Sequence, residues 1–493
     1  MPPPFTSFIF IFMVIISLPI YWLLNGKTKI QNLYLLIVSY IIYCFVTYWL
    51  GIVLIISTLI NFLCSHLLGR SEKSWIRKSI LYLSIIFNVG YLFVFKYFDF
   101  FSQEISNFLG LFGLKMTPIL LYIVLPIGIS YYTLQAISYN IEIYRNNIEP
   151  VKNFIIFALF LAYFPKMTAG PIERPKNLIS QFLEKKQLNQ KRISSAIQLL
   201  LLGFFKKIVI ADFIGNKISG FYEDPTGYSS TASLLIVWLF AIQLYADFSG
   251  YTSIVRGISK LFGIDLRINF NQPYLTTNIR DFWRRWHMSF SEWLRDYLYI
   301  PLGGNRKGYI RMLLNLMIVF IIAGLWHGAG INFIIWGFLH GVYLISHRIY
   351  LSCIKYLKFY QKMITPNYNF SRKDEIIRFI YKCLAWFITF QLLAFSWIFF
   401  HTDEFETAIT IIKQAYSLNY DLTYGHELYI LISTLIFSAF FISIIDITEY
   451  KLKTHEIFTK LHWILKAFFF VFIIIMLLLF QFNVEEQFIY EGY

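Results

Sequence analysis

Residues 311–330 read RMLLNLMIVFIIAGLWHGAG, an apolar run that ends on Trp326, His327, Gly328 and Gly330. As a helix, 311–326 spans about 24 Å at ~1.5 Å per residue, short of a hydrocarbon core of roughly 30 Å. This spacing predicts a helix break at membrane depth, made by Gly324, Gly328 and Gly330, with His327 inside the bilayer's thickness. An ionisable ring at such depth is expensive and marks a pathway or a reaction site. The competing structural reading is a histidine hydrogen-bonded between helices for packing alone.

The rest of the chain has the same character. Of 493 residues, 57% are hydrophobic, 20% aromatic and only 14% charged, outside the range of ordinary soluble domains. Apolar stretches near 8–24, 32–50, 51–69, 79–97 and 117–141 are followed by others near 195–213, 231–252, 311–326, 330–347, 377–401, 428–447 and 463–482. We expect an all-α polytopic membrane protein of a single domain, with 11 to 13 crossings. The start, MPPPFTSFIF, lacks a basic region and a cleavage pattern, so the first apolar segment is expected to be retained. Cys44, Cys64, Cys353 and Cys383 are scattered, which suggests neither disulfides nor a thiolate metal site, and no metal is expected.

The formal net charge is +15. Basic clusters occur at 70–78, 174–193, 256–311, 348–373 and 451–466; alternating sides back from the C-terminus puts 448–463, 348–376 and 256–310 in the cytoplasm. The segments 212–227 and 402–427 and the tail after 483 lean acidic or lack basic residues, which puts the C-terminus outside. These charges are explained by topology and anionic lipid; no nucleic-acid partner is expected.

Two segments are too polar or broken for plain spans. LPIGISYYTLQAISYNIEIYR, 125–145, should turn Gln135, Tyr139 and Asn140 toward other helices or a cavity. FIIFALFLAYFPKMTAGPIERPKN, 154–177, is apolar only briefly before Pro165, Gly170, Pro171 and Pro175, which suggests a re-entrant element; a plain linker is the alternative. The segment 278–308, NIRDFWRRWHMSFSEWLRDYLYIPLGGNRKG, reads as one amphipathic helix. At about 100° per residue, Arg280, Arg284, His287, Ser291 and Arg295 fall within about 80° of one another. Such a helix could lie at the cytoplasmic interface. The same guanidinium stripe could instead bind the phosphates of a nucleotide-containing cofactor, with His287 kept neutral by the neighbouring cations.

These segments resemble the membrane-bound O-acyltransferase family, and within it the bacterial alginate and peptidoglycan O-acetyltransferase branch. The resemblance rests on LPIGISYYTLQAISY (125–139), FPKMTAGPIERP (164–175), QLYADFSGYTSI (243–254), residues 269–308 and GLWHGAGINFIIWGFLHG (324–341). It covers about 120–350. It implies helices arranged around a central funnel, with His327 the principal catalytic residue and His287 nearby along the cytoplasmic route. Relatives commonly carry aspartate where this chain has Ser253, although Asp247 is kept.

The implied reaction is transfer of acetyl from cytoplasmic acetyl-CoA, a donor substrate rather than a bound cofactor, across the inner membrane to an extracytoplasmic polysaccharide. His327 would deprotonate the acceptor hydroxyl, and Trp326, Asn332 or a glycine N–H would hold the oxyanion. The resemblance also implies a periplasmic SGNH-type partner protein. The ending FIYEGY resembles C-terminal tyrosine motifs proposed to carry the acyl group, which makes Tyr490 the relay candidate; a frayed terminus is the alternative. Three other readings stand beside this one. They are D-alanyl transfer to teichoic acid within the same family, a proton-coupled transporter using His327 and Glu142, and an assembly scaffold. The absence of detectable repeat symmetry weighs against the transporter.

Overall fold

A computed structural model describes residues 7–45, 48–354, 371–417, 425–480 and 489, and among these there are helices and turns but no strand. Seven helices among the described residues are long and apolar enough to cross a membrane: Tyr48–Arg70, Ser74–Gly110, Ser230–Leu261, Tyr309–His327, Arg372–His401, Gly425–Leu452 and Trp463–Phe480. That is fewer than the 11 to 13 expected. The difference lies in helices such as Phe8–Leu23 with 16 residues and Thr28–Cys44 with 17, and in Ile331–Ile354, whose apolar run is broken by Asn332, His340, His347 and Arg348. Outward faces carry exposed Phe8, Leu63, Ile86, Phe379 and Phe468, a surface suited to lipid and not to water.

Small residues let the interior helices approach closely. The Ser230–Leu261 helix is buried along most of its length. Where it crosses Gln190–Phe204, a Cβ on Gly250 would lie 2.9 Å from the Gly203 carbonyl oxygen, and one on Gly257 would lie 3.0 Å from that of Ala196. The hairpin of Tyr309–His327 and Ile331–Ile354 is tighter still: a Cβ on Gly324 would sit 2.1 Å from the Phe333 carbonyl oxygen, and one on Gly337 2.3 Å from that of Phe320.

The polar helix Ile129–Tyr144 is enclosed as its sequence requires, with Gln135, Tyr139 and Asn140 buried. Asn140 donates from Nδ2 to Asn61 Oδ1 at 2.9 Å and to Ser84 Oγ at 2.7 Å, and Asn88 Nδ2 donates to the same Asn61 oxygen at 2.7 Å. These amides fasten Tyr48–Arg70, Ser74–Leu92 and Ile129–Tyr144 together where no water competes. The segment after residue 153 is short and broken. Phe154–Ala162 is about 13 Å long, and a single turn, Phe164–Met167, precedes buried irregular backbone. Side chains satisfy that backbone: Phe164 N donates to Ser39 Oγ at 3.2 Å, and Ile172 N to Ser289 Oγ at 3.0 Å.

The Tyr309–His327 helix has 19 residues and reaches about 28 Å, longer than the sequence suggested because it includes Tyr309, Ile310 and His327. Length therefore does not isolate His327 at mid-membrane. Its seclusion comes from the helices packed around it.

The hairpin contact is directly testable. Gly337→Val should lower the stability of the detergent-solubilised protein by about 1–3 kcal/mol, read as a fall in melting temperature. Gly90, with open space around its Cα, should accept alanine with no loss.

Candidate active site

The basic–aromatic segment does not form one helix. Ile279–Trp283 ends, the chain turns through Arg284–His287, and Met288–Leu294 begins again. His287 makes the turn in left-handed backbone, φ 41°, uncommon for a non-glycine residue. Two main-chain hydrogen bonds hold it there: Asn271 N donates to Arg285 O at 3.0 Å, and Met288 N to Asn269 O at 2.9 Å.

The break separates the predicted stripe into two environments. Arg280, Arg284 and Arg295 stay exposed and, with half-buried Ser291, line an open pocket of about 640 Å³, joined by Arg348 from the Ile331–Ile354 helix. His287 turns inward, 1% exposed, with the rings of Phe248 at 4.9 Å and Phe290 at 5.1 Å. The expectation that neighbouring arginines keep His287 neutral is thus corrected. Burial away from water does it, pushing the imidazole down to about 3.

His327 is 3% exposed and stands in an aromatic layer, with ring centroids at 5.0 Å for Trp326 and Trp336, 5.1 Å for Phe400 and 5.5 Å for Phe290. Phe290 and Trp326 stack at 4.2 Å and each also contacts the His287 ring, so the two imidazoles share these neighbours. On the other side, Trp336 touches Trp283 at 5.8 Å, and Trp283 lines the arginine pocket. Two indole rings therefore separate the pocket from His327.

The helix that carries His327 ends there, and a helix end leaves four carbonyls without intrahelical donors. All four are matched. Gly328 N reaches Gly324 O at 3.4 Å, Tyr97 Oη donates to Leu325 O at 2.6 Å, and Lys96 Nζ donates to Trp326 O at 2.8 Å and His327 O at 2.9 Å. Sequence reasoning missed Lys96 and Tyr97. The available signal was a lone lysine within YLFVFKYF, 91–98.

The two side chains expected to serve the oxyanion differ. Asn332 Nδ2 donates to Thr402 O at 2.7 Å and Thr402 Oγ1 at 3.1 Å, so its amide hydrogens are committed to fastening Arg372–His401. Trp326 Nε1 makes only a long contact, 3.4 Å, to Ser130 O. His340 is a packing histidine: Trp283 Nε1 donates to its Nδ1 at 3.2 Å, which leaves Nε2–H to donate to Ser396 Oγ at 3.1 Å. Ser253 donates to Ser249 O at 2.8 Å on its own helix. Asp247 is buried against Lys207 at 2.9 Å, and Lys207 also meets Asp212 at 2.8 Å. Asp247 Oδ2 accepts from Ile489 N at 2.9 Å, which ties the chain's last described residue to the interior. Tyr490 and, apart from Ile489, the rest of the 483–493 tail lie outside the described residues.

Comparison with known proteins agrees with this architecture. Residues 127–391 match the membrane-bound O-acyltransferase family model. The chain is 34% identical over 428 residues to a peptidoglycan O-acetyltransferase of Helicobacter pylori, covering 81% of this chain and 77% of that protein. It is 33% identical over 428 residues to a protein described as a probable alginate O-acetylase of Pseudomonas aeruginosa, covering 84% and 75%. A teichoic acid D-alanyltransferase of Streptococcus thermophilus is 28% identical over 305 residues, covering 56% and 68%.

The bonding of His340 predicts a structural phenotype. His340→Phe strands the Trp283 indole N–H in the interior and should cost about 1–3 kcal/mol of stability, measured by thermal melting in detergent.

Proposed function

The chain belongs to the membrane-bound O-acyltransferase family, and from that premise we propose that it transfers acetyl from cytoplasmic acetyl-CoA to an extracytoplasmic polysaccharide hydroxyl. It is a multi-pass membrane acyltransferase whose relatives are named for O-acetylation of peptidoglycan and alginate. The observation that carries the reading is the buried imidazole of His327 on a helix end whose carbonyls are all held, two indole rings from an arginine-lined pocket.

The chemistry assigned to these groups is compact. The phosphates of the donor sit on Arg280, Arg284, Arg295 and Arg348, with Ser291 as a further hydrogen-bonding group. The thioester arm passes the Trp283 and Trp336 rings. His327 accepts the proton of the acceptor hydroxyl as its oxygen attacks the thioester carbon. The Trp326 indole N–H, held only by a long contact, turns to the developing oxyanion; Asn332 keeps its structural bond. Collapse of the tetrahedral intermediate expels the CoA thiolate, which takes the proton back from the imidazolium. His287 borders the same aromatic layer on the thioester's route.

The basic loops and acidic tail support an inner-membrane orientation with the C-terminus outside. Tyr490 is the proposed acyl carrier. Support comes from its chain neighbour: Ile489 is anchored to Asp247, and the next residue, Phe248, touches the His287 ring. From Tyr490 the acetyl group passes to the serine of a separate SGNH-type protein and then to the polysaccharide. Acetyl transfer is favoured over D-alanyl transfer because identity and coverage are higher toward the O-acetylating relatives.

The test is transfer from labelled acetyl-CoA in membranes and in purified protein. His327→Ala should reduce transfer by roughly 10²–10⁴-fold at unchanged folded abundance; activity close to wild type rejects the base assignment. Tyr490→Phe should abolish a labelled acyl-protein adduct, and unchanged labelling rejects the relay.

A further inference from the structure

A lysine in the outer, membrane-spanning Ser74–Gly110 helix is electrostatically costly, and a buried counter-charge is the usual compensation. Lys96 lacks one: among the described residues no carboxylate lies within ion-pair distance of it. Its ammonium is spent on two peptide carbonyls, those of Trp326 and His327. Those groups sit at the negative end of a 19-residue helix, where a cation is favourable and where backbone oxygens have no donor of their own.

The local backbone makes this reach possible. Residues Phe93–Tyr97 form a π turn within the longer helix, and that turn places consecutive residues Lys96 and Tyr97 against one helix end. π turns interrupt a helix at some cost and recur at functional sites. Here the two side chains grip three consecutive carbonyls, 325 to 327, from a helix more than two hundred residues away in sequence. Gly328 then lets the chain leave: a Cβ there would collide with the Phe333 ring at 2.0 Å. The backbone of His327 is thus held by the clamp before it and the hairpin after it.

We propose that Lys96 and Tyr97 are positioning residues that set the His327 imidazole in register with the acyl and acceptor groups by gripping the carbonyls of residues 325–327. The inference rests on the reading of His327 as the base. A staple that served only folding would be indifferent to turnover per folded molecule. A positioning clamp is not, because a displacement of about 1 Å at a proton-transfer group can cost on the order of 10²-fold in rate.

The experiment measures CoA thiol release and acetyl transfer from labelled acetyl-CoA by purified full-length protein, normalised to the folded fraction on size exclusion. Lys96→Met should lower kcat by roughly 10- to 100-fold with KM for acetyl-CoA within about twofold of wild type. Lys96→Arg, which keeps a cationic multi-donor group, should recover most of that loss. Tyr97→Phe removes a single bond and should lower kcat by several-fold; it keeps the proposal testable where Lys96→Met does not fold. Unchanged kcat per folded molecule in Tyr97→Phe, or in a folded Lys96→Met, overturns the proposal, as does an Arg variant no better than Met. His327→Ala in parallel separates the two readings. If it is inactive while the clamp variants are normal, only the positioning role falls; if it is active, the base assignment falls and the clamp with it.

Discussion

The end of the Tyr309–His327 helix is the constraint on which the rest of the site depends. A helix that stops inside packed protein must find donors for its last carbonyls, and water is not available to supply them. The neighbouring helix provides a lysine and a tyrosine, the following glycine allows an abrupt exit, and the return helix packs at glycine contact distance. Each of these would be unremarkable alone. Together they fix one imidazole in place from its backbone outward, while its ring is bounded by tryptophan and phenylalanine.

A second organising feature is the separation of the charged groups from the buried imidazole. The turn at His287 leaves the guanidinium groups at an open surface and sends the imidazole into an aromatic interior. Arginine is suited to the first place because it stays charged and meets phosphate with a planar fork of donors. Histidine suits the second because, removed from water, it is neutral and able to accept a proton. Trp283 and Trp336 stand between the pocket and the other imidazole, His327, one lining the pocket and the other facing that ring.

Much of this was legible in the chain. The apolar runs announced membrane helices, the polar 125–145 segment announced burial, and the broken 154–177 segment suggested a re-entrant element as against a plain linker. The aromatic and arginine residues of 278–308 were also identifiable as one basic–aromatic block, a candidate for ligand binding or for the membrane interface. Their division was not, because a helical projection assumes continuous geometry and the left-handed residue at 287 breaks it. Asn332 shows the same limit: its type suited an oxyanion donor, but Thr402, seventy residues later, claims both amide hydrogens.

The sequence by itself determined the membrane class and the all-helical character, which follow from composition and periodicity, and the family, which follows from contiguous motifs that also single out His287 and His327 as candidates. Only the tertiary structure decided which donors hold the end of the His327 helix, which side chains remain available to a ligand, and where the tail's Ile489 is anchored. Those are pairings between residues far apart in the chain, such as Lys96 with His327 and Asp247 with Ile489. Hydrogen bonds of that kind depend on distances of a few ångströms between packed helices, and no local pattern in the sequence encodes them.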